Sequence, residues 1–128
     1  SAKLLAQRTN TIGFIIHQAD SKINRTRKDV RPRMEDIEWS QDIFRVSGYV
    51  YMCFYPIKYF YIDDPIYQRL FFQIWTKARY ANSTYHILEY DPPTGRFMNP
   101  SDEVLKAGWR LWDKLNNLAG INNGIRLR

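Results

Sequence analysis

Residues 43–62 read Ile43-Phe44-Arg45-Val46-Ser47-Gly48-Tyr49-Val50-Tyr51-Met52-Cys53-Phe54-Tyr55-Pro56-Ile57-Lys58-Tyr59-Phe60-Tyr61-Ile62. The fold turns on how this stretch is read. Isoleucine, valine, tyrosine and phenylalanine favour strands. The spacing points the other way. Ile43, Val46, Val50, Cys53, Phe54 and Ile57 recur at helical intervals and share one face, with Ser47 completing the ladder. Strict alternation fails, because Met52-Cys53-Phe54-Tyr55 are all apolar or aromatic. The spacing predicts a helix to about Tyr55, kinked or stopped at Pro56. A β-hairpin over 43–62 is the alternative.

Downstream, Asp63-Asp64-Pro65 is a helix start: Asp64 caps, and Pro65 takes the first position, where a missing N–H costs nothing. A helix to about Tyr80 follows, with Tyr67, Leu70, Phe71, Ile74, Trp75 and Ala78 as its apolar stripe. Residues 82–90 read equally as a short strand or as one to two helical turns. Asp91-Pro92-Pro93-Thr94-Gly95 is a turn by composition. Asn99-Pro100 opens a last helix, with Ser101, Asp102 and Glu103 in its first turn. Its stripe is Val104, Leu105, Gly108, Leu111, Trp112, Leu115 and Leu118, and Gly120 serves as its C-terminal cap.

Upstream, Leu5, Ile12, Ile15, Ile16, Ala19 and Ile23 form a stripe that predicts a helix over 2–28, weakened by Thr9-Asn10 and Gly13. Pro32 ends it. Met34-Glu35-Asp36-Ile37-Glu38 begins the next element, its acids suiting the positive end of a helix dipole. The fold class expected is mainly α: a basic N-terminal helical arm over 1–33 and a small three- to four-helix bundle over 34–128. The alternative is α+β, with the hairpin at 43–62.

Charge divides the chain at the same place. The net charge is +6. Residues 1–33 hold eight bases (Lys3, Arg8, Lys22, Arg25, Arg27, Lys28, Arg31, Arg33) against Asp20 and Asp29, and in 34–128 eleven bases cancel eleven acids. A helix dipole accounts for one or two cations at a C-terminal end, not for the six bases in 22–33. Such an arm neutralises phosphates. If all six net charges engaged, the slope of log K against log salt would be about −5. The bland reading is a solvated basic face. No zinc-ligand set or helix-turn-helix pattern reads bases, so the contacts expected are sequence-independent. Anionic membrane surface is a further possible partner at a pI near 9.5.

At 45% apolar and 16% aromatic the chain is too hydrophobic for disorder. A single cysteine, Cys53, excludes an internal disulfide and fits a reducing, intracellular origin. No run of about 20 apolar residues suits a spanning helix. No signal peptide is visible, while the Arg-rich, acid-poor N-terminus has the character of a mitochondrial transit peptide.

Six tyrosines (Tyr49, Tyr51, Tyr55, Tyr59, Tyr61, Tyr67) either stack on bases or, as such residues more often do, form core and subunit interface. Asp63 and Asp64 read as a cap rather than a catalytic carboxylate pair. His17 and His86 lack partners at ligand spacing, so no metal or other cofactor is expected. Cys53 reads as inert core. The sequon Asn82-Ser83-Thr84 has no secretion signal behind it. No residue stands out as catalytic, and the chain is not expected to be an enzyme.

The basic helix ending at 22–33, the break at Pro32, the second helix through 43–57 and the bundle helices at 65–80 and 100–119 together resemble the layout of the major coat proteins of filamentous archaeal double-stranded DNA viruses. The resemblance covers the whole chain as a layout, and Pro56 and the neighbouring tyrosines depart from a plain DNA-wrapping helix. It implies a capsid protein of the virion. The N-terminal arm would wrap A-form double-stranded DNA between paired subunits, identical or paralogous, and the C-terminal bundle would line the outside of the filament. The rival expectations are a non-catalytic subunit of a mitochondrial or ribosomal complex, docked through its basic arm, and a membrane-surface matrix protein.

Overall fold

The computed structural model describes residues 2–16, 30–33, 36, 45, 47–78, 84–117 and 126–127. Its elements run α1 (Ala2–Thr9), β1 (Tyr49–Phe54), β2 (Phe60–Tyr61), β3 (Leu70–Ala78), β4 (Thr84–Asp91), β5 (Arg96–Met98), α2 (Asp102–Asn116) and β6 (Arg126–Leu127). Short 3-10 turns cover Pro56–Lys58 and Pro65–Arg69. Four strands form a curled antiparallel sheet in the order β1-β3-β4-β5, β2 pairs with β6, and α2 lies on the inner face of the larger sheet. The mainly-α expectation and its helical bundle are therefore overturned. The strand reading of 49–61 is closer, although β1 takes β3 as its partner and does not form a hairpin within 43–62.

Burial along β1 alternates strictly: Tyr49, Tyr51 and Cys53 face out, while Val50, Met52 and Phe54 face in. The alternation is absent from the hydrophobicity because both faces are apolar, one packed in the core and one exposed. The helical spacing of Val50, Cys53, Phe54 and Ile57 was coincidental to that pattern. A bulge between Val50 and Tyr51 shifts the register, and the Thr76 hydroxyl donates to the Val50 carbonyl there at 3.2 Å.

The helix expected over 65–80 starts as predicted and then stops. Asp64 Oδ1 accepts the Ile66 N–H at 3.1 Å, but the turn that it caps lasts only five residues. At Leu70 the backbone becomes extended (φ −91°, ψ 125°) and β3 begins. Leu70 and Phe72 are fully buried, while Phe71, Gln73 and Trp75 take the opposite face. β3 pairs with β1 on one side and with β4 on the other, doubly over Phe72–Trp75, and the aromatic run suits such a central strand.

Residues 84–91 resolve as strand. The turn at 91–95 stands: Asp91 O accepts the Gly95 N–H at 2.7 Å, Asp91 Oδ2 accepts the Thr94 hydroxyl at 2.6 Å, and Gly95 takes a φ of +71°. The chain then returns as β5.

The last helix stands as α2, with Ser101 Oγ accepting the Val104 N–H at 3.4 Å and with Asp102 and Glu103 in the first turn. Val104, Ala107, Gly108, Leu111 and Leu115 are buried against the sheet. At Gly108 helix and sheet approach so closely that a Cβ would lie 2.6 Å from Ile87 Cδ1. Val104, Leu111 and Leu115 join Phe54, Phe60, Leu70, Phe72 and Ile87 in the core. Each such side chain contributes roughly 1.5–3 kcal/mol of burial.

The N-terminal helix is shorter than expected. α1 ends at Thr9, and Asn10 leaves the helix with φ 53°. Residues 11–16 are exposed and not helical, so Ile12, Ile15 and Ile16 bury no stripe. Residues 17–29, most of 34–46, Leu118 and Gly120 lie outside the described residues. Val30 is fully buried within the core cluster, which ties the end of the basic segment into the body.

Candidate binding surface

The registers that build the sheet also assemble its outer face. Tyr51 lies opposite Trp75 and Cys53 opposite Gln73. Gln73 lies opposite His86, Phe71 opposite Leu88, and Tyr90 opposite Phe97. Two aromatic groups result. At one end Trp75 meets Tyr49, Tyr51 and His86, with ring centroids 6.1, 5.3 and 6.2 Å away. At the other, Tyr55, Phe71, Tyr90 and Phe97 pack at 4.8–6.0 Å. Much of this is open to solvent: Tyr49 is 56% exposed, Tyr51 43% and Phe97 51%. None of these positions carries a charge. A sheet face of this kind is an interaction surface by default, since a charged or polar face would be the ordinary solvent-facing solution.

Polar groups are sparse and placed. The Trp75 indole N–H donates to Gln73 Oε1 at 3.1 Å. The Tyr55 hydroxyl donates to the Gln68 carbonyl. Burial, and then the neighbouring Tyr90, push the Tyr55 phenol above its ordinary pKa, so it stays a donor. Beside Tyr55 the face runs into an open cleft of about 650 Å³ lined by Tyr55, Ile57, Lys58, Gln68 and Pro92. Cys53, expected in the core, is instead exposed on the outer side of β1, the end strand. Desolvation nonetheless raises its thiol pKa, which works against a reactive thiolate.

The basic residues split. Lys3 falls on α1, and Arg8 is exposed in its last turn. Lys22, Arg25, Arg27 and Lys28 lie outside the described residues. Arg31 is docked: its guanidinium sits 4.6 Å above the Trp112 ring centroid, and Nη1 donates to Asn116 Oδ1 at 2.6 Å. Trp112 in turn stacks on Tyr85 at 4.0 Å. With Val30 and Pro32 buried on either side, Arg31 anchors the segment to α2 and is not a free phosphate ligand. Arg33 is exposed, and its backbone N–H donates to Asp36 Oδ2 at 2.7 Å.

The remaining buried charge is structural. Glu89 Oε1 accepts the Ser101 backbone N–H at 3.0 Å, and Oε2 accepts Arg69 Nη2 at 2.7 Å and Nε at 3.2 Å. The Ser101 bond first, and Arg69 after it, hold the Glu89 carboxyl below its ordinary pKa against the opposing effect of burial. Both oxygens are occupied in joining β4, the Pro65–Arg69 turn and the start of α2.

Of the six tyrosines singled out in the sequence, Tyr49, Tyr51 and Tyr61 are exposed, and Tyr55, Tyr59 and Tyr67 are half-buried. Phe71, Trp75, His86, Tyr90 and Phe97 join the surface only through strand pairing. No alternation in the sequence marks them, because residues 71–75 and 86–90 carry apolar or aromatic side chains on both faces. Among the described residues no three His, Cys, Asp or Glu side chains gather as a metal site, and no helix is long and apolar enough to cross a membrane. No protein-family model, curated protein or solved structure matches the chain.

Proposed function

We propose that this chain is a structural, non-enzymatic nucleic-acid-binding subunit. Its basic N-terminal segment holds the phosphate backbone without reading sequence, and its neutral body assembles with other copies or a related subunit. The observation that carries this reading is the segregation of charge. The whole net +6 falls in residues 1–33, while the body to which Val30 anchors that segment is neutral and turns an uncharged aromatic sheet outward. A coat or packaging protein of a virion is the setting in which both properties serve one task.

The test is a salt series of binding to duplex and single-stranded DNA, comparing the full chain with a full-length variant carrying Lys22→Gln, Arg25→Gln, Arg27→Gln and Lys28→Gln. These four lie outside the described residues, and the docked Arg31 is left in place. The variant is expected to lose about 3–4 units of salt slope on duplex. Equal slopes in the two proteins, or binding indifferent to salt, would sink the proposal.

A further inference from the structure

The outer face of the sheet leaves aromatic rings open to solvent, with Tyr49 and Tyr51 set edge-on or tilted around Trp75. Tyr49 and Tyr51 are two residues apart on β1, a spacing of about 6.6–6.8 Å, and Trp75 stands on the neighbouring strand about 4.8 Å away. Phe97, 51% exposed, lies at the far end of the same face. Gln73 and His86 sit opposite each other between the two groups. With Oε1 taken by Trp75, the Gln73 amide nitrogen still offers N–H donors. Lys58 lines the cleft that opens beside Tyr55. Among the described residues no carboxylate lies on the face. Exposed aromatic rings, a few hydrogen-bonding groups and a cation at one end are the elements that stack unpaired bases while their phosphates pass alongside.

We propose that this face is a base-stacking site for single-stranded nucleic acid, centred on Tyr49, Tyr51 and Trp75, with Phe97 as a second platform and Lys58 as a phosphate contact. The proposal rests on the reading that the chain holds nucleic acid, and it changes the substrate class. Bases in a duplex are already paired and stacked, so a sheet face cannot take them. The site therefore selects unpaired strands, whereas the basic segment alone accepts either form. The net charge of +6 disfavours a basic protein, and an acidic protein would find uncharged rings in place of cations to pair with, whereas bases carry their apolar faces to the rings and their phosphates to Lys58.

The test compares a fluorescein-labelled twelve-nucleotide oligo(dT) with an abasic strand of the same length and phosphate count, by anisotropy at fixed salt. The wild-type chain is expected to bind the strand with bases at least about tenfold more tightly, since each stacked base is a large increment. The exchange Tyr49→Thr with Tyr51→Thr keeps β-forming residues in β1 and should bring the two affinities together, as should Phe97→Ser in part. Far-UV circular dichroism confirms that each variant is folded. The four-site Gln variant of the basic segment should weaken both strands while leaving their ratio above tenfold. A wild-type ratio near one with binding intact overturns the stacking site and leaves the nucleic-acid reading standing. No binding of either strand overturns both. Loss of self-association in the threonine variant, with the ratio unchanged, assigns the face to a second copy and overturns the proposal.

Discussion

At the scale of single residues, Glu89 is the most informative side chain in the body. It is a carboxylate at 7% exposure, and it is tolerated because Ser101 and Arg69 satisfy both oxygens. Removing the charge weakens the bonds to Arg69, whose side chain is 42% exposed and can turn to water, and loosens the start of α2. Glu89→Gln is expected to cost about 1–3 kcal/mol in urea unfolding at pH 7. The pH dependence has a definite sign. The folded pKa lies below the unfolded value near 4.3, so the contribution is complete above the unfolded pKa. It is lost as the pH falls through the folded pKa. Melts between pH 3 and pH 7 should show a shallower acid limb in the variant, and a parallel limb would remove Glu89 from this role.

The same scale reassigns Arg31. In the sequence it is one of six bases crowded into 22–33. In the structure its neighbours Val30 and Pro32 are buried, and it lies on Trp112. Nothing in the spacing of the basic residues marks which of them ends the segment and which holds it. That distinction depends on an aromatic ring 81 positions away in the chain, which only the packing of α2 brings beneath it.

At the scale of elements, β1 is the end strand of the larger sheet. Among the described residues no strand pairs with its other edge. The segment Tyr49–Phe54 has six residues, no charge, no proline and no glycine. An edge of that composition is a ready template for another strand, and the usual protections of lysine, proline or shortness are missing. This supplies a route for the proposed assembly by edge pairing between copies, without using the faces of the sheet. Cys53→Lys puts a charge on an exposed position of the edge and should leave the melting temperature within a few degrees. Sedimentation velocity at rising concentration should then show the variant remaining smaller than the wild type. Unaltered association would place the contact elsewhere.

The helical reading failed over 49–54 and 70–78 for one reason. Period-two burial is visible in sequence only when one face is polar. Here the outward positions of β1 and β3 are tyrosine, cysteine, phenylalanine, glutamine and tryptophan, so the contrast vanishes. The helix-start signal at Asp64-Pro65 was correct locally but launched a turn of five residues. By contrast α2 was legible from end to end of its described length, because its polar face is truly polar: Lys106, Arg110, Asp113 and Lys114 alternate with the buried stripe.

At the scale of the whole molecule, the division into a basic segment and a neutral body holds as a division of charge but not of structure. Val30 is fully buried among Phe54, Phe60, Leu70, Phe72 and the α2 leucines. The folded body thus reclaims residues 30–33, and a truncation at residue 34 would remove a core side chain. Val30→Ala should cost about 1–3 kcal/mol by thermal or urea unfolding, despite its place inside a cationic stretch. A neutral outcome there would mean that the segment is not anchored. The anchor itself lies on the α2 side, where Arg31 sits on Trp112, while the aromatic face is on the other side of the sheet.

The sequence by itself determined the charge segregation, the turn at 91–95, the cap at Ser101, the helix α2 and the absence of an internal disulfide. Each of these is local or additive, set by neighbours within a few residues or by composition. Only the tertiary structure decided that 49–54 and 70–78 are strands, that Val30 is core, and that tyrosines, a tryptophan and a phenylalanine from four strands make one surface. Those outcomes depend on pairing between segments tens of residues apart. Cross-strand hydrogen bonds on both edges of β3 and burial of its inner face outweigh the weak local preference for helix, and no spacing within one segment records which partner it will meet.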